Sequence, residues 1–72
     1  MKISYDPKVD AMYIAFKKGK YDRTKKVSDE ILVDVDKNGV VLGLEILDVK
    51  KQFGDIKPGK IEFSSKSSYQ GV

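Results

Sequence analysis

The sequence predicts a mainly β protein, bordering on α+β: an antiparallel sheet of four to five strands in meander order, with one short helical turn after a central hairpin. Three observations support this prediction. Asn38-Gly39 separates two apolar runs, which is typical of a hairpin because both residues tolerate the positive φ of a type I′ turn. Apolar residues recur at every second position in short segments. The chain has only 72 residues, so we predict one small domain at 1–63 and a flexible tail at 64–72.

Three strands are predicted before the hairpin. Residues 2–5 alternate, and the strand ends at Asp6-Pro7, where proline fixes φ and removes a ladder donor. Residues 11–16 also alternate; a helix starting at Asp10 is the alternative, but six residues are too few for a typical helix. Residues 22–27 alternate weakly and are rich in lysine, which favours an edge strand.

The hairpin predicts its own register. With Asn38 and Gly39 as the two loop residues, one face pairs Val35, Val33 and Ile31 with Leu42, Leu44 and Ile46. The other face pairs Asp36 with Val41, Asp34 with Gly43 and Leu32 with Glu45. A slip of one residue would mix the two faces. We call the face of Met12 and Ile46 the first face and the face of Asp34 and Glu45 the second face. The predicted residues of the first face are Met12, Ile14, Phe16, Ile31, Val33, Val35, Leu42, Leu44 and Ile46.

The remaining segment is predicted to contain one helical turn and one short element. Residues 48–53 form the turn, with Asp48 as its cap, Gly54 at its end, and Val49 and Phe53 on its inner side. After a turn at Pro58-Gly59, residues 60–63 form a last short strand or a segment docked on the core.

The composition excludes several kinds of site. There is no cysteine and no histidine, so disulfides, thiolate metal sites and the commonest general base at neutral pH are all absent. Tyr5 and Tyr13 are interpreted as residues at the edge of the core with solvated hydroxyls. We therefore expect no catalytic residue, no enzyme activity and no cofactor.

A thin core indicates self-association. A chain of this length buries only about 60% of the surface that its unfolded form exposes, and without disulfides or metals the remaining compensation is oligomerisation. We expect a homodimer that buries sheet against sheet. No signal peptide or transmembrane run is found, so we expect a cytoplasmic protein with no membrane partner.

Charge is unevenly distributed, although the net charge is only +3. Residues 17–26 hold six cations against Asp22, a net of +5, whereas residues 29–48 hold six carboxylates against Lys37, a net of −5. The favoured interpretation is that neighbouring strands neutralise one another. The alternative is a charged face that steers a partner of opposite sign.

Two charged clusters are candidate sites. Asp34, Asp36, Glu45 and Asp48 suggest a hard cation, and Asp34-Val-Asp-Lys-Asn-Gly resembles the start of an EF-hand loop, but the residues that follow have a β pattern. A solvated strand face is favoured, and a catalytic carboxylate pair is less favoured still. A basic, tyrosine-containing loop is the candidate for nucleic-acid binding, although a solvated loop beside an edge strand explains it better. Its residues are Lys17, Lys18, Lys20, Tyr21, Arg23, Lys25 and Lys26.

Several motifs together resemble one known family. They are Tyr5-Asp-Pro-x-x-Asp-Ala-Met-Tyr-Ile14, then Thr24 and Val27-Ser-Asp29, then Ile31-Leu-Val-Asp-x-Asp-x-x-Gly-x-Val-x-Gly-Leu-Glu-Ile-Leu-Asp48. Over about residues 3–53 they resemble the small bacterial and archaeal family called domain of unknown function 2283; Glu30 departs from it, since glycine is common there. The resemblance implies no established activity and no catalytic residue. Some members are similar to proteins encoded beside small toxin-like partners, which implies an antitoxin or immunity role.

The predicted function is a non-catalytic protein-interaction module, possible partners being a second copy or a small toxin. Binding to nucleic acid is the alternative, and binding of a cation a weaker one. In the predicted mode the acidic hairpin covers a basic cleft of the partner, and the space left by Gly43 receives a partner's side chain. The predicted partner-binding residues are Leu32, Asp34, Asp36, Val41, Gly43, Glu45 and Leu47.

Overall fold

A computed structural model of the protein describes residues 1–57, 59 and 61–66. They form five strands and one helix: β1 (Lys2–Asp6), β2 (Ala11–Ala15), β3 (Arg23–Lys26), β4 (Ile31–Val35), β5 (Val41–Ile46) and α1 (Val49–Phe53). All strand pairs are antiparallel. The predicted mainly β fold with a short helix after the hairpin is therefore confirmed.

The order of the strands differs from a meander. It is β1-β2-β5-β4-β3, so that the last strand in sequence lies at the centre. On one side of β5, the Phe16 N–H donates to Leu42 O, and on the other side the Leu47 N–H donates to Glu30 O. The meander prediction was wrong because alternation of apolar residues assigns faces and says nothing about neighbours. Among the described residues β3 pairs only with β4, which confirms it as an edge strand.

The register of the central hairpin is confirmed for four pairs and then changes. Ile31, Leu32, Val33 and Asp34 lie opposite Ile46, Glu45, Leu44 and Gly43, as predicted. Beyond Asp34, however, Val35 lies opposite Val41 and not Leu42. Leu42 is thus an extra residue in β5, a β-bulge.

The bulge accompanies a longer turn than the predicted one. Asp36 N–H donates to Val40 O, and Gly39 N–H donates to Asp36 O, each over 3.0 Å. The loop thus has three residues, 37–39, and only Gly39 has a positive φ, of 84°. The prediction of a type I′ turn at Asn38-Gly39 was therefore wrong. Asp36 Oδ1 accepts the N–H groups of Asn38 and Val40, at 2.8 and 2.9 Å, and these hydrogen bonds stabilise the longer loop.

The bulge also moves Leu42 away from the first face, where it was predicted. Leu42 lies on the second face, in a groove shared with Tyr13 and Asp34. A Cβ on Gly19 would lie only 2.6 Å from Leu42 Cδ2. The missing side chain at Gly19 therefore lets the loop between β2 and β3 pass closely over Leu42, which is buried.

The core lies at one end of the first face. Met12, Ile46 and Val49 are buried together. Around them pack the half-buried side chains of Tyr5, Ile14, Ile31, Leu44 and Ile56. Val49 has no exposed surface, whereas Phe53 is 59% exposed. The prediction that Phe53 lies on the inner side of the helix was therefore wrong, and Ile56 takes its place.

The start of α1 is held by a residue from the other end of the chain. Asp48 has φ 51° and its side chain makes no capping hydrogen bond, contrary to prediction. Instead the carboxylate of Asp10 accepts the Lys50 N–H, and Asp10 O accepts the Val49 N–H at 3.1 Å. At the other end, Gly54 ends the helix as predicted, donating its N–H to Lys50 O.

The segment after the helix has little regular structure. Gly59 lies in a turn with φ 87°, but Pro58 and Lys60 are outside the described residues. Residues 61–66 form no strand, so the predicted last strand is absent from the part described. Ile61 and Phe63 are 59% and 85% exposed, and Ile61 lines a groove with Met12 and Ile56, so the segment lies beside the core without being buried in it. Of the predicted tail, residues 67–72 lie outside the described part.

Candidate functional site

A chain of hydrogen bonds crosses the second face. Tyr13 on β2 donates from its hydroxyl to Asp34 Oδ2 on β4, over 3.0 Å. Thr24 on β3 donates to the other oxygen, Asp34 Oδ1, over 2.7 Å. The hydroxyls of Thr24 and Tyr21 share a further hydrogen bond of 2.7 Å. Asp34 is therefore the centre of a polar cluster that links β2, β4 and β3.

Gly43 makes this cluster possible. It lies on β5 between Ala15 and Asp34, its partners in the two neighbouring strands. A Cβ at Gly43 would overlap the hydroxyl of Tyr13 and lie 2.5 Å from its Cζ. The space predicted above Gly43 is thus filled by Tyr13 of the same chain and is not open to a partner's side chain.

The protonation of Tyr13 follows from this environment. Burial raises the pKa of Tyr13, and the hydrogen bond to Asp34 and the negative charges of Asp34 and Glu45 raise that pKa further. Tyr13 therefore keeps its proton at neutral pH and donates the hydrogen bond to Asp34 Oδ2. The Tyr13 hydroxyl, predicted to lie at the edge of the core, accordingly bonds to Asp34 at the side of the open groove.

The acidic residues of the candidate cation site are spread over the described structure, and two of them accept hydrogen bonds within it. Both carboxylate oxygens of Asp34 accept hydrogen bonds from side chains, and Asp36 Oδ1 holds the hairpin turn. Asp48 lies at the start of α1. Over residues 1–57, 59 and 61–66, no three acidic side chains lie close enough together to bind a metal ion. Within the acidic run, Asp34 and Asp36 therefore stabilise the hairpin and the strands beside it.

The predicted partner-binding residues do not share one surface. Leu32 and Glu45 form a half-buried pair on the second face, with the half-buried Leu47 two residues beyond Glu45 on the same strand path. Asp34 and Gly43 belong to the polar cluster, and Asp36 lies at the hairpin turn. Val41 pairs with Val35 because of the bulge, which places it with the first-face residues.

The predicted nucleic-acid-binding residues are also divided. Lys17, Lys18 and Tyr21 line an open groove of about 530 Å³ on the second face, beside Tyr13 and Asp34. Lys20 lines a neighbouring groove with Tyr21. The others lie along β3: Arg23 pairs with Asp22 at 2.9 Å, Lys26 pairs with Asp29 at 3.1 Å, and Lys25 lies opposite Val33 of the first face. The two ion pairs join residues one and three positions apart in sequence, so neither neutralises charge between two neighbouring strands.

The first face carries exposed apolar side chains. Ile3, Phe16 and Val41 are 39%, 37% and 39% exposed. Ile14, Leu44 and Val33, which lie beside Ile3 in one row across the sheet, are half-buried. Sequence reasoning did not place Val41 here because the bulge has no signal in the apolar pattern. The row ends at β3 with Lys25, so one rim of this apolar surface is basic.

A second cluster, which sequence reasoning missed, joins the helix to the sheet. The Tyr5 hydroxyl donates to Asp10 Oδ1 over 2.6 Å, and the same carboxylate accepts the Lys50 N–H. The hydrogen bond to Asp10, followed by burial and by the charge of Asp10, raises the pKa of Tyr5 to about 12. Asp10 has φ 55°, a left-handed conformation that aspartate tolerates better than most residues. The cluster has a structural role, as it anchors α1.

The fold and its clusters define a small, single-sheet β protein whose polar side chains mainly hold strands and turns together. The chain belongs to the family described as "Protein of unknown function (DUF2283)", whose model matches residues 2–50. This confirms the predicted resemblance.

The chain is also similar to one curated protein. The chain is 40% identical over 53 residues to the uncharacterized protein MJ0789 of Methanocaldococcus jannaschii. The match covers 74% of this chain but 45% of the relative, so the chain spans less than half of that protein's length. No solved structure matches. No helix in the described part of the chain has the length and apolar character needed to cross a membrane.

Proposed function

We propose that the protein is a non-catalytic protein-interaction module that binds a small protein partner on its first face. The observation that supports this is the exposure of Ile3, Phe16 and Val41 around the half-buried row of Ile14, Leu44 and Val33. Exposed apolar side chains grouped on one face are typical of interaction sites. α1 leaves them accessible because its buried residue, Val49, packs at the end near Met12 and Ile46.

The charge around this face indicates the chemistry of the partner. Arg23 and Lys25 lie opposite Val35 and Val33 at the β3 end of the first face. A partner with an apolar patch flanked by carboxylates complements such a surface. This replaces the predicted mode in which acidic residues cover a basic cleft, because Asp34 and Asp36 are engaged in internal hydrogen bonds.

The biological role we propose for this binding is neutralisation of a small toxin-like partner. The family resemblance supports it, since some members are similar to proteins encoded beside such partners. To neutralise a toxin, this chain needs only to cover a surface of the toxin, so no catalytic residue is required in this chain.

Two adjacent positions on β4 provide a matched test. Val33 and Leu32 are both half-buried, but they point to the first and the second face respectively. We expect the tagged wild-type protein to recover a stoichiometric partner from its native host. Val33→Lys should abolish recovery, whereas Leu32→Lys should preserve it, with both variants shown to be folded by circular dichroism. Recovery of no stoichiometric partner, or loss only with Leu32→Lys, would contradict the proposal.

Nucleic-acid binding is a second candidate, supported by one observation. The groove on the second face brings Lys17, Lys18 and Tyr21 together, which combines cations for phosphates with an aromatic ring for a base. Binding to a single strand should weaken with salt, and Lys17→Ala with Lys18→Ala should reduce the slope of log K against log salt by about one for each lost contact. Lys50→Ala with Lys51→Ala on α1 is the control. A slope that does not change in either pair, or no binding, would exclude this candidate.

A further inference from the structure

We propose that β1 is an association edge, at which two copies of this chain pair antiparallel about Ser4 and join their sheets side by side. The inference goes beyond partner binding on the first face and does not depend on it. β1 pairs with β2 on one side, and the described residues provide no strand on its other side. Four of its five residues are exposed.

The hydrogen-bonding direction of each β1 residue follows from its neighbours. Phe16 N–H donates to β5, so residues two and four before it, Ile14 and Met12, also direct their backbone groups toward β5. The intervening residues of β2 then face β1, where they pair with Lys2, Ser4 and Asp6. Ile3 and Tyr5 therefore direct their N–H and C=O groups outward, away from the sheet.

This direction restricts the register between two copies. Only residues with outward backbone groups exchange hydrogen bonds, so Ile3 and Tyr5 must pair among themselves. Placing Ile3 opposite Tyr5 of the other copy puts Ser4 opposite Ser4 and uses all five residues of β1. Pairing Ile3 with Ile3 shortens the ladder and leaves Asp6 without a partner in β1. Pairing Tyr5 with Tyr5 shortens it equally and leaves Lys2 without one.

The side chains complement one another in the Ser4-centred register. Lys2 lies opposite Asp6 of the other copy, twice by symmetry, and both side chains belong to the second face because they pair with Ala15 and Ala11. Asp6 uses Oδ1 to accept the Lys8 N–H, and its other oxygen faces no described donor. On the first face, Ile3 packs beside Tyr5 of the other copy. Opposite charges and apolar pairs in these positions stabilise antiparallel strands.

The other edge of the sheet rejects the same association. In β3, Arg23 and Lys25 pair with Val35 and Val33 of β4. Val35 O accepts the Asp22 N–H and Ile31 O accepts the Val27 N–H, so alternate residues of β4 direct their backbone groups toward β3. Arg23 and Lys25 therefore direct their own backbone groups toward β4. Thr24 and Lys26 therefore face outward. Pairing Thr24 with Thr24 or with Lys26 places Lys25 opposite Arg23 or Lys25, and pairing Lys26 with Lys26 places that lysine opposite its own copy. Each of these arrangements is repulsive. Association at β1 alone gives a closed dimer with one symmetric interface and no open filament.

Charge exchange at β1 tests the register directly. Sedimentation of the full chain should show a reversible dimer. Lys2→Asp and Asp6→Lys each place like charges opposite one another and should each raise the dissociation constant about tenfold, given two affected pairs per interface. An equimolar mixture of the two variants restores opposite charges at both positions and should associate like the wild type. Mixing also controls for loss of the Asp6 turn bond, because a misfolded Asp6→Lys variant would not be rescued.

A cross-link tests the position of the symmetry axis. The chain contains no cysteine, and Ser4 facing Ser4 is a pair without mutual hydrogen bonds, with Cβ atoms about 4.5–5.5 Å apart. Ser4→Cys should oxidise to a disulfide-linked dimer, whereas Lys25→Cys on β3 should stay unlinked. A wild-type monomer at all concentrations would overturn the proposal. A dimer that is neither cross-linked through Ser4→Cys nor weakened by the charge variants would also overturn it. That result is expected if the first faces of two copies pack on each other, or if the β1 edge binds another protein.

Discussion

The hydroxyl of Tyr13 passes over Gly43 on the neighbouring strand and donates its hydrogen bond to Asp34 on the strand beyond, at 3.0 Å. One side chain thus links three adjacent strands. The central strand must lack a side chain at the crossing point for this contact to exist. The glycine and the tyrosine are therefore a coupled pair, and the contact gives the second face a fixed, internally hydrogen-bonded surface.

Gly43→Ala should reduce the free energy of unfolding by about 1–3 kcal/mol, because the added methyl group displaces the Tyr13 ring and leaves Asp34 without one donor. Urea unfolding measures the change. In the Tyr13→Ala background the same substitution should cost much less, since the ring is already absent. Equal costs in both backgrounds would show that the backbone of Ile14, 3.2 Å from the added Cβ, causes the loss instead.

Gly39→Ala and Asn38→Ala distinguish the observed hairpin turn from the type I′ turn that the sequence predicts. Of these two residues only Gly39 has a positive φ, so Gly39→Ala should cost about 1–2 kcal/mol. Asn38→Ala should cost less than about 0.5 kcal/mol, as for an ordinary surface position. In a type I′ turn both residues have positive φ, and both substitutions would then be costly. Chemical denaturation of the two variants under one buffer condition decides between them.

Asp36→Ala tests the reason why the turn is longer. It removes the oxygen that accepts the N–H groups of Asn38 and Val40, and should reduce the free energy of unfolding by about 1–2 kcal/mol. Asp36→Asn keeps an oxygen in that position and should retain most of the stability. Lys37→Ala, at an exposed loop position, is the control. A similar loss for Asp36→Asn and Asp36→Ala would mean that charge, and not hydrogen bonding, stabilises the loop.

The sequence predicted the faces of the sheet better than its connections. Ile31 and Ile46, or Asp34 and Gly43, could be paired because a buried face and a glycine-containing turn restrict the register. The bulge at Leu42 could not, since it depends on the Asp36 side chain competing for turn donors. The order of the strands could not be predicted for a related reason. β2 and β4 both have a row of apolar residues on one face, so the apolar pattern allows either strand to pair with β5.

Prediction of the candidate sites was limited in the same way, because the sequence does not show which strands are neighbours. Tyr13 and Asp34 are 21 positions apart, and nothing local indicates that they meet. Only the neighbour relation between β2 and β5 brings the tyrosine over Gly43. Likewise, Asp10 and Lys50 meet because the turn after β1 and the start of α1 lie at one end of the sheet. Sequence reasoning places the acidic hairpin on a surface for a partner, but it does not indicate that the carboxylates of Asp34 and Asp36 accept hydrogen bonds within the chain.

Val49→Ala should show how much of the stability depends on the small core. Val49 is completely buried between Met12 and Ile46, so losing two methyl groups should cost about 2 kcal/mol. Phe53→Ala, four residues along the same helix, removes a larger side chain that is 59% exposed and should cost about 0.5 kcal/mol. Thermal unfolding followed by circular dichroism measures both. A greater loss for Phe53→Ala would restore the predicted inner side of the helix.

Stability should fall as pH rises from 10 to 12, because of Tyr5. Its pKa is about 12 in the folded protein, against an ordinary value of 10.0. In this range the unfolded chain has released a proton that the folded protein retains, so higher pH favours unfolding; below pH 10 the contribution is fully present. Tyr13, whose pKa is also raised, acts in the same direction. Urea unfolding at a series of pH values should therefore give a shallower decline for Tyr5→Phe than for the wild type. Asp10→Asn, which removes the charge beside the hydroxyl, should lower the pKa of Tyr5 toward its ordinary value, as read from phenolate absorbance. An unchanged decline in Tyr5→Phe would assign the alkaline transition to other groups.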